Sequence, residues 1–190
     1  MRWPLDTLPV EIDLNPEPRG TLPAEILLIS PPIPRSPDRS IASPRYPPLV
    51  NSTNTFDTLI AVASDSTADH GTAPRETASP SIALRTFRMI HEHPYRYTAD
   101  DVIFTVYADR NAIPAAKRPA ARKAFFAKGQ ACLRCSDLGK KYGWGIHSDA
   151  EGRVALVAVE TEEYEALASG NRLGGDGEPV TVTYAMRARR

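Results

Sequence analysis

The chain has 190 residues, 42% hydrophobic and 24% charged, the mix of a globular domain with a core; wholesale disorder, collagen and a coiled coil are excluded. Its 23 basic and 23 acidic side chains cancel, so no global field draws it to an anionic membrane or to nucleic acid, although a local nucleic-acid contact stays open. No apolar run approaches the roughly 20 residues of a membrane span, two cysteines make no disulfide framework, and residues 1–13 carry no leader pattern. The expected location is the cytoplasm.

Residues 1–53 read as a proline-rich disordered extension. Twelve of the 18 prolines fall in residues 1–50, and proline removes an amide donor and bars the preceding residue from helix. Only Ala24 to Ser30 could dock as an edge strand. The arm is either a ligand for a protein partner, which would make the chain an interaction module, or a dispensable extension.

A single domain is expected over residues 54–190. Phe56 to Ala63 is β-branched and apolar, a strand. Ser79 and Pro80 suit a helix start, and Ala83, Phe87 and Ile90 then recur at helical spacing up to Pro94. Thr98 with Asp100 and Asp101 opens a second helix, whose buried face takes Val102, Ile103, Val106 and Tyr107. A third helix runs from Arg118 to Lys128. Gln130 to Arg134 reads as a short strand, and Ser136 caps a short helix ending at Tyr142. Residues 143–159 form a β-hairpin. Thr161 starts a helix that buries Tyr164 and Leu167, and the glycine-rich loop after Gly170 is expected to be mobile. Val180, Val182, Tyr184 and Met186 alternate in a last strand. The class is α+β, with a mainly antiparallel sheet and several packed helices.

Charge is segregated along this domain. Between Lys117 and Lys141, eight cations face only Asp137, and a run of acids follows. This basic segment is either an anion site or a solvated face that pairs with the acidic helix. As an anion site it would take a small ligand through Lys128, Gln130, Arg134, Lys140, Lys141 and Trp144. If Gln130 to Arg134 is a strand, Gln130, Cys132 and Arg134 share one face. His147 would point away from Trp144 and Ile146, onto an uncovered face of the sheet. The alternative is then a thiol enzyme with Cys132 as nucleophile and His147 as its base. The plain readings are a buried Cys132 and a His147 bonded to Asp149. Cys132 and Cys135 lack a second ligand pair, since His91 and His93 cannot share a helical face, so no metal and no cofactor is expected.

Four stretches resemble a known pattern: Asn54-Thr-Phe56, Tyr95 to Phe104, Phe126 to Arg134, and Lys141-Tyr-Gly-Trp-Gly-Ile-His-Ser-Asp149. Together they are similar to the domain-of-unknown-function family numbered 6157, small bacterial and fungal proteins. The resemblance covers Asn54 to the C-terminus and brings no activity or partner. That family carries a small residue where this chain has Cys135, which speaks against zinc and dithiol chemistry.

Overall fold

The computed structural model of the chain describes residues 51–188. The expected extension lies almost wholly outside the described residues. Asn51 to Thr53, expected within it, are tied into the domain by hydrogen bonds to Phe126 and Asp100. Among the described residues, the domain therefore takes in Asn51 to Thr53.

Four short strands, β1 (Thr58–Ala61), β2 (Trp144–Ser148), β3 (Val154–Ala158) and β4 (Thr181–Tyr184), make one sheet in the order β3-β2-β1-β4. β2 and β3 are the expected hairpin, and β1 pairs antiparallel with β2. β1 and β4 are parallel, because the chain between them crosses the whole domain. The sheet is thus mixed and mostly antiparallel, in an α+β fold.

The described residues hold five α-helices, α1 (Ile82–His91), α2 (Ala99–Arg110), α3 (Arg118–Phe125), α4 (Asp137–Lys141) and α5 (Glu162–Ala168), of which α3 packs on α2. Their starts are written locally. Ser81, not Ser79, caps α1 by accepting from Leu84, and Thr98 and Asp101 form a reciprocal capping box on α2. α2 buries Val102, Phe104, Val106 and Ala108, while Tyr107 is exposed. The expected single face fails because α2 is sandwiched. Val102 packs toward the sheet with Ile60, Ile90 and Ile146, and Phe104 packs the other way on Phe126.

The expected strand at Gln130 to Arg134 does not form. Leu133 is drawn into the core beside Ile146, and Cys135 N donates to Cys132 O at 3.0 Å, closing a 3-10 turn at Leu133–Cys135. The pleat that would have aligned Gln130, Cys132 and Arg134 is therefore absent. Nor is the second face of the sheet uncovered. Leu59, Ala61, Val157, Leu167 and Val180 form a core there beneath α5. His147 points into that layer, since it alternates with Ile146.

Both outer edges of the sheet are partly covered. On β3, Tyr95 N donates to Val154 O and Val154 N to Tyr97 O, at 2.9 and 2.8 Å. On β4, Val180 N is taken by Arg172 O, while Arg134 donates its Nε to Tyr184 O and accepts from Met186 N.

Candidate functional site

His147 stands on a central strand, between Leu59 of β1 and Ala155 of β3. Its Nδ1 lies 2.8 Å from the Tyr95 hydroxyl, so the expected bond to Asp149 is not made. Asp149 is instead engaged by Arg153, whose Nε donates to it at 2.7 Å. Tyr95 comes from the segment joining α1 to α2, which belongs to the opposite layer. Its phenol can reach His147 only by turning round the β3 edge, and its φ of 55° makes that turn. A bulky residue rarely adopts this left-handed conformation, which costs on the order of 1–3 kcal/mol.

A second such residue flanks the pair. Asp57 has a φ of 41°, and its carboxylate accepts from Gly175 N at 3.0 Å. A side chain at Gly174 would collide with that carboxylate, since its Cβ would lie 2.7 Å from Asp57 Cγ. The glycine-rich loop after α5, expected to be mobile, is thus pinned onto Asp57. It also carries Arg172, whose Nη1 donates to Glu163 of α5 at 3.0 Å.

These surroundings fix protonation. Burial pushes the His147 imidazole down to about 4, helped by the Arg172 guanidinium against a smaller opposing effect of Asp57. Burial pushes the Tyr95 phenol up to about 12; Glu163 adds to the rise, Arg172 opposes it, and Asp149 adds slightly. At neutral pH the pair is a neutral imidazole beside a protonated phenol. The phenol is the better donor and the imidazole nitrogen the better acceptor, so Tyr95 donates to Nδ1 and the ring proton sits on Nε2. Nε2 is buried and has no hydrogen-bond partner among the described residues.

The other expected site residues are dispersed. Gln130 Nε2 turns back onto Phe125 O at 2.6 Å, closing the end of α3. Arg134 caps the β4 edge, and Lys141 pairs with Asp137 at 3.1 Å, on its own short helix. Trp144 donates to Thr72 O and packs its ring against Phe87 and His91. Lys128 is exposed, Lys140 half-buried, and neither has an ion pair among the described residues. The basic segment does not pair with the acidic α5. Arg118 and Arg122 of α3 bind Asp109 and Asp101 of α2 instead. Cys132 is half-buried next to Leu133, which packs with Ile146 on the face opposite His147. The fold does not bring Cys132 and His147 together.

Sequence reasoning missed Tyr95, Asp57 and Arg172. One signal was available: Tyr95 and His147 each lie in a stretch that carried the family resemblance. The model of the family of unknown function (DUF6157) matches residues 50–188. The chain belongs to this family. The match spans the described domain from its first anchoring residues to the segment after β4, and so includes both halves of the Tyr95–His147 pair. No match to a curated protein or to a solved structure was found. No described helix is long and apolar enough to cross a membrane.

Proposed function

We propose that this DUF6157 domain binds a small anionic ligand at His147, rather than across the dispersed lysines. The observation that carries the reading is the buried Nε2–H of His147, a donor without an acceptor. Leaving such a group unsatisfied costs about 1–3 kcal/mol, which a ligand oxygen recovers on binding. An anionic oxygen fits best, because a charge-assisted bond is the stronger one and the leading charge acting on this ring is the Arg172 guanidinium. Two strained residues, Asp57 and Tyr95, frame the position, and strain of this kind collects at binding sites. The neutral imidazole acts as a donor, and the phenol fixes its tautomer.

The test is a thermal-shift and calorimetric screen of small carboxylates and phosphates on the wild-type protein, His147→Phe and Arg172→Ala. A ligand bound by wild type should lose at least tenfold in affinity in both variants. Binding that survives His147→Phe but fails on charge reversal of Lys140 and Lys141 would move the site to the lysine face. Rapid alkylation of Cys132 that depends on His147 would instead favour the thiol enzyme.

A further inference from the structure

We propose that Cys132 and Cys135 are a reversible dithiol–disulfide site, oxidised by a low-molecular-weight disulfide of the glutathione class. From sequence, the family's small residue at the position of Cys135 speaks against dithiol chemistry, and the pair does not sit at the helix start that such chemistry favours. The observed turn changes this. Cys132 is extended, with φ −76° and ψ 173°, and immediately precedes the 3-10 turn. The bond from Cys135 N to Cys132 O, 3.0 Å long, makes the two cysteines the first and fourth residues of a closed turn. Closure of that kind keeps the outer Cα atoms within about 7 Å, where a disulfide needs roughly 4.4–6.8 Å. The closed turn thus holds the two cysteines at the backbone spacing a disulfide spans.

Both cysteines are free and half-buried, so a small disulfide can reach them. Cys135 Sγ lies 3.2 Å from Met186 Sδ on the exposed side of the segment after β4. A thiol-to-thioether contact is weak and readily given up. The intervening residues keep their places: Leu133 stays in the core, and Arg134 stays on Tyr184 O.

The chemistry balances as two exchanges. The thiolate of one cysteine attacks a sulfur of the small disulfide, forming a mixed disulfide and expelling one small thiolate. The second cysteine's thiolate then attacks the protein-side sulfur, forming the Cys132–Cys135 bond and expelling the other. The protein loses two electrons and two protons, and the small disulfide becomes two thiols.

The full chain is equilibrated in reduced and oxidised glutathione at graded ratios, quenched in acid, alkylated and weighed intact. The wild type should lose two hydrogens and take up no alkyl group at the oxidising end, with full recovery on reduction. Cys132→Ser and Cys135→Ser should each stop at the glutathione adduct. A wild type that also stops at the adduct, or that keeps both thiols alkylatable in excess oxidised glutathione, would overturn the proposal. Peptide mapping of the oxidised wild type distinguishes the internal bond from a link between chains, and an interchain bond alone would overturn it as well.

Discussion

His147 shows how one residue records its surroundings. Its imidazole is held neutral by burial and by Arg172, with a folded-state value of about 4 against 6.5 when free. A depressed value means that the unfolded chain binds the proton more readily. The contribution to stability is then complete above about pH 6.5 and lost as pH falls through 4, and amounts to roughly 3 kcal/mol. The melting temperature should therefore fall between pH 6.5 and 4, and His147→Phe should flatten that slope in thermal denaturation. Tyr95 acts at the other end. Its raised value stabilises the fold up to pH 10 and ceases to do so as pH rises toward 12. Tyr95→Phe leaves Nδ1 without its partner and should cost about 1–2 kcal/mol by chemical denaturation.

At the scale of elements, α2 is held by acids at its start. Asp100, 2% exposed, accepts from Ser52 Oγ and from both Thr53 N and Thr53 Oγ1, while its own N–H donates to Asn54. Asp101 closes the capping box and pairs with the buried Arg122 of α3 at 3.0 Å. Arg122 also donates to Asp100 O and lies over the rings of Phe104 and Phe126. One cluster thus joins the entry segment, α2 and α3. Removing one member of a buried pair leaves the other charge uncompensated, at about 3–5 kcal/mol. Asp101→Ala should lower stability by that amount, and Asp100→Ala by about 2–4 kcal/mol as three donors lose their acceptor. Urea unfolding midpoints measure both. A loss below about 1 kcal/mol in either would mean that water replaces these bonds without cost.

Across the whole molecule, the sheet carries layers on both faces and bonded chain on both edges. Open edges invite pairing between copies, and here β3 is partly covered by residues 95–98 and β4 by Arg134 and Arg172. Arg134→Ala removes the side-chain half of the cap, and its self-association in sedimentation velocity should rise with concentration above that of the wild type. Equal behaviour would show that the backbone bond from Met186 N to Arg134 O closes the edge unaided.

The sequence by itself determined what depends on near neighbours. Helix caps at Thr98, Ser136 and Thr161, the 143–159 hairpin and the α+β class follow from contacts a few residues apart, which are the same in any tertiary setting. The family was legible for the same reason, in four short stretches. The tertiary structure alone decided which of these stretches meet. Gln130 to Arg134 has strand composition, yet only Arg134 meets a sheet edge, and the core takes Leu133 into a turn instead. His147 was legible as a candidate, but its partner was not. Tyr95 lies 52 residues away in sequence and reaches the ring only because the 95–98 segment runs along β3 in a strained turn. Burial and long-range hydrogen bonds set the chemistry of that pair, and neither has a local signature in the chain.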